Sequence, residues 1–256
     1  MDVNKNTYTF IFAIIMVVVV AAILSSTYIK LKPLQDKNIE LEKQQNILSS
    51  IGVNILRDSA NLIYPIYIKE ELIINSTGEI LDGSAFDVDL KKELKKDKDN
   101  QQLPLFISEV DQEKKYIIPL LGKGLWGPIW GFIALEEDFN TVYGAVFDHK
   151  AETPGLGAEI NRSFFEDQFA GKSIFEEDKL VSIIVVKGGA DPADMHAVDG
   201  ISGGTITSDG VTNMLAERLS LYSPYLQRMK LDNEVKSVMS EMDTVSSIVD
   251  STINYE

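Results

Sequence analysis

The chain has 256 residues, 45% of them hydrophobic, enough for one cored domain with appendages. It has no cysteine, which excludes disulfides, thiolate zinc and cysteine-held iron–sulfur clusters, and only two histidines, His149 and His196, which argues against a histidine-rich metal or haem site. A formal charge of -15 argues against nucleic acid as a partner, since phosphate contacts need clustered Lys and Arg, and it would repel a free anionic cofactor.

From Thr7 to Ile29 the chain carries no charge, and Tyr8 to Leu24 is almost wholly apolar. About 20 such residues cross a bilayer as a helix. The apolar run is too long for a signal peptide and lacks a clear small-residue cleavage site, so a retained anchor is expected. Its flanks, Lys5 before and Lys30, Lys32 and Lys37 after, favour a cytoplasmic main domain by the positive-inside rule.

Pro33 is expected to break the helix. Leu34, Leu41, Leu48 and Ile55 then recur every seven residues, which predicts a juxtamembrane amphipathic helix ended or interrupted at Gly52. Ile66–Ile68 and Leu72–Asn75 read as short strands before a turn at Thr77-Gly78, and Lys91–Asn100 as a solvated charged insertion or an exposed helix end. Alternating apolar residues predict strands at Leu105–Val110, Tyr116–Leu120, Ile129–Leu135 and Thr141–Phe147, with turns at 111–113 and 138–140. A short helix is expected within 161–169 and a buried strand at Val181–Val186. A helix is expected from Ser208, its N-cap, broken or kinked at Pro224 and followed by a polar helical tail over 233–253. The fold class is α+β: one N-terminal transmembrane helix, then a mostly antiparallel sheet with packed helices.

The stretch Asp199-Gly200-Ile201-Ser202-Gly203-Gly204-Thr205-Ile206-Thr207 sets an acid, glycines and hydroxyls just ahead of that helix. Its ordinary meaning is a loop closing on an N-cap. Its chemical meaning is a bare backbone beside free helix N–H groups, which suits a phosphate. A threonine hydroxyl held there could receive a phosphoryl group.

Three segments, in order, resemble one family. Gly122-Lys123-Gly124-Leu125-Trp126 with Gly131-Phe132, Glu152-Thr153-Pro154-Gly155-Leu156-Gly157, and Asp199 to Thr205 are similar to motifs of the periplasmic FMN-binding domain. That domain occurs in the C component of sodium-translocating NADH:quinone reductases and in the G component of Rnf electron-transport complexes. The first segment resembles the version found in the quinone reductases.

The resemblance implies FMN joined by a phosphodiester to Thr205, with Ser202, Gly203, Gly204 and Thr207 around the attachment. Gly204 stands where the family usually has alanine. It implies that Glu152, Thr153, Gly155, Leu156 and Gly157 lie against the isoalloxazine. Trp126 is either a stacking partner or a core residue, and Asp199 either positions or deprotonates the hydroxyl or caps a turn. The two histidines and Lys187 read as turn or surface residues. No catalytic residue and no metal ligand is expected.

The implied organisation is an anchor at 1–30, a juxtamembrane helix and connection at 31–104, the FMN-binding domain at 105–230 and a helical tail at 231–256. The implied role is a relay of single electrons among partner subunits of a membrane NADH:quinone reductase. A magnesium-dependent flavin transferase would attach the FMN from FAD. The implied place is the bacterial inner (cytoplasmic) membrane, single-pass, with the main domain periplasmic, opposite to the lysine count. The alternatives are the G component of an Rnf-type complex and an anchored binding or assembly module without a redox centre.

Overall fold

A computed structural model describes residues 6–253. Lys5, counted among the flanking lysines, and the last three residues of the 231–256 tail lie outside them. The chain divides after Gln44 into two compact units.

Helix α1, Asn6–Ser50, holds an 18-residue window of mean hydropathy 2.7 with none of it buried, long and apolar enough to cross a membrane. Pro33 lies inside this helix rather than ending it. A proline removes one backbone hydrogen bond and crowds the preceding turn, at a cost of about 3 kcal/mol. The helix nevertheless continues, with good helix formers on both sides, Lys30-Leu31-Lys32 and Leu34-Gln35. Of the seven-residue apolar series, Leu48 is buried, Leu34 is exposed and Ile55 falls past the helix end. The amides of Ile51 and Val53 both return to the Leu48 carbonyl and close the helix at Gly52, the expected place.

The second unit is built on one six-stranded antiparallel sheet of order β2-β1-β3-β4-β5-β6. The strands are β1 Ile68–Ile74, β2 Ile80–Leu81, β3 Leu103–Val110, β4 Glu113–Lys123, β5 Pro128–Leu135 and β6 Val142–His149. Four of the predicted strands reappear as β3 to β6, each longer by one or more residues at an end. The 111–113 turn forms with Asp111 and Gln112 both at positive φ, the geometry that matches the twist of a tight hairpin.

Alternation along the strands sends side chains to two cores. Leu105, Ile118, Leu120, Ile133 and Phe147 face one side, with Val211, Met214, Leu215, Leu219 and Tyr222 of the long C-terminal helix. Phe106, Ile117, Phe132 and Ala134 face the other, with Ile47 and Leu48 at the end of α1, Ile51 beyond it, and Tyr64 of helix α2, Ala60–Tyr67. The sheet is therefore covered on both faces.

One local expectation changes and two are refined. Ile66 and Tyr67 belong to α2, not to a strand, and a single strand β1 runs from Ile68. The Lys91–Asn100 run holds a short helix, α3 Leu90–Glu93, and is not wholly solvated: Glu93 is buried, accepting from Lys96 Nζ at 2.8 Å and from the Gln102 amide at 2.9 Å. The short helix expected within 161–169 is α4 Ser163–Glu166, flanked by a 3-10 turn ending at Asn161 and a second turn Asp167–Phe169.

A small hairpin, β7 Phe175–Glu176 with β8 Lys179–Leu180, precedes β9 Ile184–Val186, which is the strand-paired part of the predicted 181–186 strand. It pairs in parallel with β10 Ala197–Asp199. Helix α5, Thr205–Ile253, begins three residues ahead of Ser208 and runs through Pro224. Its first intrahelical bond is the Ser208 amide to the Gly204 carbonyl at 2.9 Å, so Gly204 is the N-cap and Thr205 the first helical residue. The Ser208 hydroxyl instead accepts the Ile201 amide at 3.1 Å.

Candidate flavin attachment site

The six-stranded sheet supplies two of the motifs at its strand ends, and the third joins them through β10 of the small parallel pair and the start of α5. Strand β4 ends in Gly122-Lys123, a tight turn returns through Leu125-Trp126-Gly127 to β5, and β6 leads into Glu152. Helix α5 starts against these strand ends, with Met214 packed over Gly122 and Gly210 against the Lys123 carbonyl.

Glu152 joins all three. It is only 5% exposed. Its Oε1 accepts the Trp126 amide at 2.9 Å, and its Oε2 accepts the Thr207 hydroxyl at 2.7 Å. Thr207 is 1% exposed. Gly157 lies against this junction: a β-carbon there would meet Thr207 Oγ1, and Glu152 Oε2 would be 2.6 Å away. Only glycine fits that approach.

The three hydroxyls of the 199–207 stretch have different environments. Thr207 donates to Glu152, and Ser202 is exposed on the turn. Thr205 is half-buried at the first position of α5, and its hydroxyl has no hydrogen-bond partner among the described residues. The amides of Thr205, Ile206 and Thr207 are the first of the helix and have no helical acceptor. Gly203 turns the chain into this start at φ +74°, with Leu156 lying over it. A β-carbon at Gly204 would lie 3.0 Å from the Ile201 side chain and 3.3 Å from the Gly157 amide, so alanine here would be tight.

The loop 152–157 is held from within. Amides of Leu156 and Ala158 return to the Thr153 carbonyl at 3.1 and 3.2 Å, and the Gly155 amide donates to Glu159 Oε1 at 2.8 Å. Trp126 is 65% exposed, which removes the core reading for it. With Leu125, Leu156 and Ile206 it gives these loops an exposed apolar rim. Asp199 closes the preceding loop, its Oδ1 accepting the Ala190 amide at 2.7 Å while its own amide donates to Gln168. His149 Nδ1 accepts the Glu152 amide, and His196 Nδ1 lies 2.7 Å from the Ser173 carbonyl, so both serve turns. Lys187 is exposed.

Sequence reasoning missed two nearby groups. Glu166 on α4 accepts the Phe147 amide at 2.7 Å, and burial, with Asp167 and Asp148 adding to it, pushes its carboxyl up to about 7. Gln168 ties the same segment to Asp199. Neither stands in a recognisable motif. Among the described residues no cluster of His, Asp and Glu has the spacing of a metal site.

The donor set fits a phosphodiester: unpaired amides at a helix start, a free hydroxyl among them and an apolar rim for a ring system. Residues 124–220 match the family model described as the FMN-binding domain. Fold and site thus define an FMN-binding domain that follows a helix able to cross a membrane.

Known relatives narrow this further. The chain is 34% identical over 211 residues to the C component of the Na(+)-translocating NADH-quinone reductase of Vibrio alginolyticus, covering 75% of this chain and 82% of that protein. The crystal structure of the same component from Parabacteroides distasonis superposes with a TM-score of 0.72 at 46% identity, covering 77% of this chain and 96% of that one. NqrC of Shewanella oneidensis superposes at 0.64 with 28% identity, over 75% of this chain and 98% of that one. The chain belongs to the NqrC family, the C component of the Na(+)-translocating NADH-quinone reductase.

Proposed function

We propose that Thr205 carries FMN through a phosphodiester, and that the chain relays single electrons between redox centres of partner subunits in a sodium-translocating NADH:quinone reductase. One observation carries the attachment. Within the 199–207 stretch, Thr205 alone combines a hydrogen-bond-free hydroxyl with a place among the leading amides of a helix. The phosphodiester keeps one negative charge, which the amides of Thr205, Ile206 and Thr207 balance.

The redox chemistry belongs to the flavin; the protein sets its place and surroundings. Leu125, Trp126, Leu156 and Ile206 offer the apolar surface for the ring, and the loop held by Glu152 and Thr153 fixes its distance from α5. A covalent tether keeps an anionic cofactor on a chain of charge -15 that would otherwise repel it.

A threonine hydroxyl does not attack a phosphate anhydride unaided, so attachment requires a flavin transferase. The family supports a main domain on the periplasmic side of the inner membrane. Co-expression with a magnesium-dependent flavin transferase should add one FMN moiety to the intact mass and give a fluorescent band after denaturing electrophoresis. A chain from a transferase-competent host with unchanged mass contradicts the proposal. Because the chain has no cysteine, a single one placed at Ser202 reports the side of the membrane: labelling of intact cells by an impermeant reagent is expected, and labelling only after lysis reverses the orientation.

A further inference from the structure

We infer that Glu152 is the positioning residue that selects Thr205 for flavin attachment, by pinning Thr207 and so fixing the first turn of α5. The inference rests on the reading of Thr205 as the attachment point. It arises from a junction that links segments distant in the chain.

The Glu152 carboxylate spends each oxygen on one donor, the Trp126 amide at 2.9 Å and the Thr207 hydroxyl at 2.7 Å. It makes no ion pair among the described residues. A buried anion held only by neutral donors relies on both, since losing either leaves charge that water cannot reach. Hydrogen bonds to an ionised acceptor are also the stronger kind. Thr207 is thus committed as a donor and enclosed, with Gly157 admitting no atom beside it.

The helix carries this constraint to Thr205. Two residues along an α-helix are about 200° apart around its axis. Holding Thr207 inward on Glu152 therefore turns Thr205, a half-buried residue with a free hydroxyl, away from the junction. The same bond removes Thr207 from competition as an acceptor. In the transfer, the Thr205 Oγ–P bond forms and the P–O–P anhydride of a flavin dinucleotide breaks. AMP leaves, and the hydroxyl proton passes to a base of the transferase. Glu152 touches none of these atoms; it acts through Thr207.

The test uses the full chain in detergent with a flavin transferase, magnesium and FAD. Loading is followed by intact mass and mapped by peptide analysis. Glu152→Gln places an amide NH2 opposite one of the two donors, and Thr207→Val removes the hydroxyl while keeping the shape. Each is expected to slow loading about tenfold, the effect of one lost charge-assisted hydrogen bond. The loss should fall in kcat, with KM for the chain unchanged, and Thr207→Ser should restore the rate. Wild-type loading of Thr205 in both Glu152→Gln and Thr207→Val overturns the inference. So does a loss confined to KM and matched by a lower melting temperature, which marks a merely structural contact. A wild-type chain that gains no flavin at all instead overturns the attachment reading itself.

Discussion

Gly157→Ala tests the packing of the site most sharply. The new methyl would stand 2.6 Å from Glu152 Oε2 and 3.0 Å from Thr207 Cβ, and against Thr207 Oγ1. Atoms do not pack that closely, so either the 152–157 loop moves out or the Thr207–Glu152 bond breaks. Overpacking of this kind costs about 1–3 kcal/mol. An unsatisfied buried acceptor adds about 1–3 kcal/mol if the bond opens. Because relaxation that relieves one cost incurs part of the other, the expected loss is about 2–4 kcal/mol.

The control is Gly155→Ala, two residues away. Gly155 has φ +75° but open space around it, so alanine there meets backbone strain alone, about 1 kcal/mol. For a domain of this size Tm moves by about 2–4 °C per kcal/mol. Thermal unfolding of the full chain in detergent should therefore show Gly157→Ala lowered by roughly 5–15 °C and Gly155→Ala by only a few degrees. Equal shifts in the two variants would refute the close-packed junction.

Two further outcomes follow from other parts of the fold. Glu166 rises from 4.5 to about 7 on folding, so the folded chain binds the extra proton and stability falls as pH climbs through that window. Discounted for its partial exposure, the effect is on the order of 1–2 kcal/mol; Glu166→Gln should flatten the pH dependence of chemical denaturation, and an unchanged slope would contradict it. The buried Tyr222 hydroxyl donates to the Pro104 carbonyl at 2.7 Å, locking α5 to β3. Tyr222→Phe should lose about 1 kcal/mol in the same assay, and no loss would deny that bond a role.

Much of the sheet was legible because its strands alternate or run apolar between clear turns, as in Tyr116–Leu120 and Asp138–Asn140. Helix α2 was not, since a short run such as Ile63-Tyr64-Pro65-Ile66-Tyr67 has no period long enough to separate helix from strand. The start of α5 was misplaced because Ser208 is a strong N-cap type, yet the chain caps on Gly204 and spends the Ser208 hydroxyl on Ile201. The three motifs were visible as strings of residues. Their meeting was not: the Glu152–Thr207 bond spans 55 positions, and no local pattern announces which carboxylate will be buried. The same holds for Glu93, a buried acid inside a run that reads as solvated.

The most direct measurement is peptide mapping of chain isolated from its native membrane, with Thr205→Ala alongside. The expected result is FMN on the peptide containing Thr205, and a variant that melts like the wild type but carries no flavin. An unmodified Thr205 in the native chain, or a flavin retained through denaturation by Thr205→Ala, would contradict the account.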